Sequence, residues 1–331
     1  MTTYTKIIGT GHYLPSLVFT NEDWAKRVET NHQWIVDRTG IHSRHIASAE
    51  ETASFMGTEA AKLALDMAGV KAEELDLIIA STGAPDQIFP ATACLIQKKL
   101  GAGTCGAFDV QAACSGFIYG LSIADQFIRT GQAKKVLLVC TELMSRLINW
   151  SDRESCVLFG DGAGAVVLSA SDTQGVLGTK LYANGNYDHI LNVGNSQLQQ
   201  NSQGDVLVYQ PAKEVYPFIF MQGRAVFRVA VTVLEQMVND MIAEHGLEPD
   251  NIDWLIPHQA NIRIIEATAQ KLGMPMSKVV CTVQHHANTS SASIPLALDV
   301  AVRDGRVKSN QTLLLEAVGA GMTWGSALLK F

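Results

Sequence analysis

The chain has 331 residues, 47% of them hydrophobic and 17% charged, with a formal net charge of −7. That is enough apolar material for a large core and too much chain for one average domain, so two domains or one large two-part unit are expected. The acidic balance argues against nucleic-acid binding, no apolar run approaches the ~18 residues that cross a bilayer, and six cysteines without Cys-x-x-Cys spacing read as reduced thiols, not a disulfide frame or a metal site.

The first residues run into a strand-like Lys6-Ile7-Ile8-Gly9 with no cationic, apolar leader, which points to a cytoplasmic protein without membrane attachment. A helix ending over residues 63–70 precedes a strand that closes on Leu77-Ile78-Ile79. A second strand is expected over residues 107–110. It leads through Gln111-Ala112-Ala113 to Cys114, and an amphipathic helix starts near Phe117. Phe117, Leu121, Ala124, Phe127 and Ile128 form its 3.6-period apolar stripe. Residues 136–139 are a continuous apolar run, as suits a strand covered on both faces. The glycine-rich stretch 160–164 then leads into a strand over 165–168.

Residues 184–211 are polar and rich in Gln, Asn and Gly. They read as a long surface excursion with little regular structure. Beyond it, a helix over 234–247 leads to a strand ending at Ile256, followed by Pro257-His258-Gln259-Ala260-Asn261. Residues 279–283 are the next strand candidate, followed by His285-His286-Ala287-Asn288-Thr289-Ser290. Leu313-Leu314-Leu315, Gly319-Ala320-Gly321 and a strand over 326–329 close the chain.

These elements repeat. Asp253 lies 177 positions after Asp76, each just before an apolar strand, and Leu315 lies 176 after Val139, each before a glycine-rich turn and a strand. Two matches at nearly one offset indicate two similar α/β halves, 1–172 and 173–331, joined near 169–175. Alternating strands and helices favour mainly parallel, buried sheets. In this alignment His258 takes the place of Pro85.

Cys114 sits between a strand and the first turn of a helix. There, unpaired backbone N–H groups and the positive end of the helix dipole favour the thiolate. Small neighbours would let a substrate approach. The competing reading is a buried structural cysteine. His258 and Asn288 each follow a strand, at the sheet edge where active sites collect. His258 could instead be a hydrogen-bonded structural histidine, and Asn288 could cap the following helix.

Several motifs in order carry a resemblance over essentially the whole chain. They are Trp34-Ile35-Val36-Asp37-Arg38-Thr39-Gly40-Ile41, Ala112-Ala113-Cys114-Ser115-Gly116, Phe159-Gly160-Asp161-Gly162-Ala163-Gly164, Pro257-His258-Gln259-Ala260-Asn261-Ile262-Arg263, the run around Asn288, and Thr323-Trp324-Gly325-Ser326. The chain resembles the β-ketoacyl-acyl carrier protein synthase III family, the initiating condensing enzymes of fatty acid synthesis. The resemblance implies a thiolase-like fold, an internally duplicated five-layer αβαβα unit, acting as a homodimer.

It further implies a catalytic triad of Cys114, His258 and Asn288, with backbone N–H groups of Cys114 and Ala320 as oxyanion hole. Acyl-CoA would acylate Cys114, and malonyl-acyl carrier protein would then condense with loss of CO2. No metal, redox cofactor, nucleic acid or membrane is implied. Coenzyme A would be held by Thr30, Trp34, Arg38, Arg153, Gly223, Asn261 and Arg263, with Trp34 and Arg153 on either side of the adenine. Leu158 and Val318 would line the acyl pocket, together with Phe89 sent in from the partner subunit. Arg228, Arg263 and Lys271 would dock the acidic carrier protein.

Three positions depart from the common family pattern. Val318 stands where an aromatic is frequent, and Ala320 and Ala287 replace glycines. A backbone N–H at Ala320 then requires φ below zero. The wider pocket left by Val318 keeps open a relative that takes a longer or aromatic acyl-CoA in secondary metabolism or fatty acid salvage. A non-condensing cysteine acyltransferase or hydrolase is the reading from another class.

Overall fold

The computed structural model describes residues 3–193, 196–200, 207–211 and 218–331. Strand β1 (Tyr4–Tyr13) is followed by the hairpin pair β2 (Leu17–Thr20) and β3 (Ser43–Ile46), which encloses α1 (Asn21–Ala25) and α2 (His32–Thr39). Helix α3 (Ala53–Ala68) starts on Thr52, whose hydroxyl accepts from the Phe55 N–H. It stops at Gly69, which takes the left-handed conformation at φ 62°. Then come β4 (Leu77–Ser81), α4 (Thr92–Leu100), β5 (Gly106–Val110), α5 (Gly116–Arg129), β6 (Lys135–Glu142) and β7 (Gly162–Ser171). These strands form one sheet in the order β1-β7-β6-β4-β5.

The second half repeats that plan. Strand β8 (Val176–Ala183) is followed by four short strands: β9 (Leu191–Val193), β10 (Ser196–Gln200), β11 (Leu207–Pro211) and β12 (Ile219–Met221). Next are α6 (Gly223–Glu244), β13 (Trp254–Pro257), α7 (Ile262–Lys271), α8 (Val283–His286), α9 (Ser293–Arg303), β14 (Thr312–Gly319) and β15 (Thr323–Lys330). The second sheet runs β8-β15-β14-β13, and Val279 bridges Leu255 in parallel at the position β5 holds in the first.

The chain alternates five layers, and the burial pattern shows why. Odd and even positions of one strand face opposite sides. Ile78, Ala80, Leu137 and Val139 pack on α3 and α4, while Leu77, Ile79, Val136 and Leu138 pack on α5 and α9. Across that middle layer, Leu313, Leu315 and Ala327 face the same central helices, and Leu314 and Leu328 turn to α6 and α7. Helix α5 buries Phe117, Leu121, Ala124 and Ile128 at the centre, with Phe127 half-buried beside them.

Several expectations change. The sheets are mixed and not mainly parallel. Strand β4 is parallel to β5 and β6, but β6, β7 and β1 pair antiparallel, and β13-β14-β15-β8 repeats the pattern. Only three residues join β14 to β15, far too few for the crossover a parallel pair needs. The strand expected over 279–283 is a single bridge at Val279 followed by helix α8. The expected helix over 234–247 begins earlier, at Gly223.

Register also corrects the repeat. Leu77 pairs with Val136 and Trp254 with Leu313, both pairs 177 apart, so His258 answers to Ser81 and not Pro85. The excursion over 184–211 holds regular structure in its described part, with β9 pairing β12 and β10 pairing β11. Its residues 194–195 and 201–206 lie outside the described residues.

Candidate active site

Cys114 lies in a tight turn over Ala113–Ser115 directly before α5. Ala113 takes φ 46°, a strained value for a residue with a Cβ. Gly116 opens the helix because nothing larger fits: a Cβ there would stand 1.9 Å from Ser81 Oγ. The loop between β14 and β15 rests on this turn. A Cβ on Gly319 would lie 2.7 Å from the Cys114 nitrogen and 3.0 Å from that of Ser115. Thr323 Oγ1 donates to the Ala112 carbonyl, 2.9 Å, and its backbone oxygen accepts from the Ser115 hydroxyl, 3.0 Å. Ala320, next in that loop, keeps φ below zero, as its Cβ requires.

His258 follows β13 and is buried. Its Nδ1 is 2.6 Å from Ser293 Oγ, which also accepts from the Gln259 N–H at 3.2 Å. A hydroxyl that accepts from a backbone N–H has its one proton left to donate. When Ser293 donates that proton to Nδ1, the ring proton sits on Nε2, the tautomer that faces a donor into the cavity. Burial drives His258 down to about 3, so the ring is neutral.

Asn288 sits beyond α8, after Ala287 at φ 57° and two residues before Ser290 at φ 49°. Its Oδ1 accepts from the Ser290 N–H at 2.8 Å. Asn288 is not the cap of the helix that follows, which starts from Ala292; its oxygen closes a local turn and its amide N–H2 remains.

Cys114, His258 and Asn288 line one cavity of about 610 Å3, together with Ser290, Val318 and Ala320. Leu158 and Gly223 also line it. A Cβ on Gly223 would meet only the Met221 methyl, at 3.9 Å, so open space faces that backbone. Asp188, Leu191, Asn192 and Val193 form part of the wall, so the polar excursion is a cavity wall. Sequence reasoning missed this. The one available signal was its length, which exceeds that of an ordinary connection.

Burial pushes the Cys114 thiol up to about 12. The Ser290 hydrogen bond works against this, and the Glu142 charge adds to it. The expected lowered thiol is therefore not found at the resting site. The turn precedes the helix proper, and desolvation is the largest influence on the thiol.

A second cleft of about 800 Å3 adjoins the first through Leu158, Gly223, Phe227 and Asn261. Trp34, Arg38, Arg228 and Arg263 line it. The Arg38 guanidinium stacks over the Trp34 ring at 4.3 Å and that of Arg153 approaches it at 5.5 Å. Asn261 caps α7 by accepting from the Arg263 N–H at 2.8 Å, and it donates to the Arg38 carbonyl. Arg263 donates to the Asp37 carbonyl at 2.7 Å, which ties α7 to α2.

Four expected site residues line neither space: Arg153, placed only by its approach to Trp34, and Thr30, Lys271 and Phe89. Thr30 precedes the cap of α2, and its buried hydroxyl lacks a hydrogen-bond partner among the described residues. Lys271, at the end of α7, is paired with Glu235. Phe89 does not line this chain's cavity and is 83% exposed. Among the described residues, no group of three or more His, Cys, Asp or Glu is placed to hold a metal ion. No described helix is long and apolar enough to cross a membrane.

Comparison with known proteins bears on what this arrangement is. Residues 108–185 match the family model described as 3-oxoacyl-[acyl-carrier-protein] synthase III, and 242–331 match the model of that protein's C-terminal part. The β-ketoacyl-[acyl-carrier-protein] synthase III of Methylococcus capsulatus is 53% identical over 331 residues, all of both chains.

The chain belongs to the β-ketoacyl-acyl carrier protein synthase III family. The crystal structure of the 3-oxoacyl-[acyl-carrier-protein] synthase III of Aquifex aeolicus superposes with a TM-score of 0.90 at 46% identity, covering 99% of this chain and 100% of that one. The priming β-ketosynthase of the R1128 polyketide pathway superposes at 0.91 with 35% identity, covering 99% and 96%. These synthase III structures share the duplicated thiolase-like architecture described above.

Proposed function

We propose that this chain catalyses the decarboxylative Claisen condensation of an acyl-CoA primer with malonyl-acyl carrier protein, the step that initiates fatty acid synthesis. The observation that carries the reading is a single cavity lined by Cys114, His258 and Asn288 and joined to an arginine-bearing outer cleft. Cys114 attacks the acyl-CoA thioester. The tetrahedral oxyanion is held by the backbone N–H groups of Cys114 and Ala320, whose loops pack directly on one another. Coenzyme A leaves and malonyl-carrier protein takes its place.

Loss of CO2 places enolate charge on the thioester oxygen. His258 Nε2–H and the Asn288 amide donate to it, and preorganised donors of this kind are worth about 3–4 kcal/mol each. A neutral His258 suits that task, because it donates without competing for the proton. The carbanion then attacks acyl-Cys114 to give the β-ketoacyl product.

Trp34, Arg38, Arg153, Asn261 and Arg263 serve the nucleotide and pantetheine ends of coenzyme A, with Thr30 nearby and Gly223 beside the tunnel. An adenine between Trp34 and Arg153 needs two stacking distances, about 7 Å, so Arg153 swings outward from 5.5 Å on binding. Arg228, Arg263 and Lys271 serve carrier docking, with the Glu235 pairing weakening the share of Lys271. The chain is read as two halves, 1–172 and 173–331, in a cytoplasmic homodimer. Ile88 and Phe89, 90% and 83% exposed, support burial of this tip against a second copy, where Phe89 completes the acyl pocket.

The test is mass spectrometry of the intact protein. Acetyl-CoA adds an acyl mass to Cys114, and malonyl-carrier protein discharges it as ketoacyl product. An acyl group that water alone discharges would sink the reading. Val318 beside His258 leaves room in the cavity and favours a second reading with longer or aromatic primers. A turnover panel of acyl-CoA lengths separates the two.

A further inference from the structure

Glu142 ends β6 and is fully buried, yet the cycle above gives it no task. Its Oε2 accepts from the Gly83 N–H at 2.8 Å. Its Oε1 accepts from the Ser291 hydroxyl at 2.6 Å and from the Ser291 N–H at 3.3 Å. The Ser290 hydroxyl stands beside this carboxyl and helps to lower it. The same hydroxyl accepts from the Cys114 thiol at 3.5 Å. Gly83, Cys114 and Ser290 all line the inner cavity.

Burial raises the Glu142 carboxyl to about 7, against the pull of its hydrogen bonds. Its charge in turn raises the Cys114 thiol. Of the two groups the carboxyl ionises first, so near neutral pH a carboxylate stands ready as proton acceptor beside a neutral thiol. The Ser290 hydroxyl therefore adjoins both the thiol, to which it is hydrogen-bonded, and the carboxyl.

We propose that Glu142 is the proton acceptor for the Cys114 thiol, reached through the Ser290 hydroxyl. The proposal rests on the reading that Cys114 is acylated. As the sulfur attacks, the thiol proton passes to Ser290 Oγ while the Ser290 proton passes to Glu142. The sulfur's electron pair forms the bond to the acyl carbon. Collapse of the tetrahedral species breaks the acyl bond to coenzyme A, whose thiolate takes a proton from water. Glu142 stays neutral while malonyl-carrier protein enters, so it adds no charge against the incoming carboxylate. When the carbanion displaces Cys114, the departing thiolate recovers its proton from Glu142 through Ser290. Glu142 acts through another residue and is a positioning and relay group, not a catalytic residue.

The test follows modification of Cys114 against pH in the full-length protein, with acetyl-CoA and with iodoacetamide. In the wild type both rates rise to a plateau as pH passes about 7, where Glu142 ionises. Glu142→Gln keeps an oxygen for either Gly83 or Ser291, turns its amide N–H2 toward the other, and cannot take up a proton. Its plateau is lost, and acylation at neutral pH falls about 100-fold. Ser290→Ala leaves the carboxyl and cuts the path, so acylation falls similarly and the iodoacetamide plateau is lost with it. A purely structural role for Glu142 would leave the pH profile in place. Glu142→Gln with the wild-type inflection and rate overturns the relay, and so does Ser290→Ala with the wild-type acylation rate. If Glu142→Gln does not fold, Ser290→Ala decides alone. A wild type that shows the iodoacetamide plateau but takes no acyl group from acetyl-CoA overturns the function and leaves the relay standing.

Discussion

At the scale of single residues, the site divides its work by what each side chain has left to offer. Asn288 spends its oxygen on the Ser290 N–H and keeps its amide protons. His258 is kept neutral by burial, with the Ser293 hydroxyl against its Nδ1. Cys114 is held as a thiol until substrate arrives. The two half-reactions therefore separate by mutation. Cys114→Ala ends acylation and leaves decarboxylation of malonyl-carrier protein. Asn288→Ala does the reverse, slowing decarboxylation about 100- to 1000-fold with acylation nearly intact. Losing the hydrogen bond from the Ser290 N–H also lowers its stability by about 1 kcal/mol, visible in the melting temperature. Acylation blocked in Asn288→Ala with decarboxylation spared would contradict the assignment.

At the scale of elements, short turns under strain aim the reacting groups. Ala113, Ala287 and Ser290 all take positive φ within two residues of Cys114 or Asn288. Such backbone persists only where its surroundings over-determine it. The β14–β15 loop is one of those surroundings, since the Gly319 backbone is pressed against the Cys114 turn. Gly319→Ala must push the two apart. Overpacking costs about 1–3 kcal/mol, which this large core tolerates, so the variant folds. Displacement of about 1 Å costs about 100-fold in rate, and the acylation half-reaction measured by rapid quench shows that loss. A Gly319→Ala protein that acylates at the wild-type rate would show that the loop does not set the position of the nucleophile.

At the scale of the whole molecule, buried ionisable groups shape the pH range of stability. His258 and His286 are lowered to about 3 from 6.5, chiefly by burial. The unfolded chain protonates them first, so stability falls as pH drops from 6.5 toward 3. Glu142 and Glu316 are raised by burial to about 7 and about 8 from 4.5. Here the folded chain holds the extra protons, so stability falls as pH rises from 4.5 through 7 to 8. Between 4.5 and 6.5 the two pairs offset each other. The melting temperature is expected to be level there and to decline on both sides, and Glu316→Gln flattens part of the alkaline decline. A melting temperature that climbs steadily from pH 6.5 to 8 would contradict this account.

The sequence by itself determined what depends on neighbours along the chain. The strand–turn–helix around Cys114 was legible because a buried amphipathic helix writes its 3.6-residue period into the residues from Phe117 to Ile128. The repeat near 177 was legible because both halves must place apolar strands and glycine turns at the same intervals. Only the tertiary structure decided which way the strands pair, since a continuous apolar run is buried equally well in parallel or antiparallel company. It alone brought Ser293 to His258, Glu142 and Ser290 to Cys114, and the polar excursion to the cavity wall. Those contacts join residues 28 to 176 positions apart, and burial among such distant neighbours is the largest influence that holds the nucleophile as a thiol.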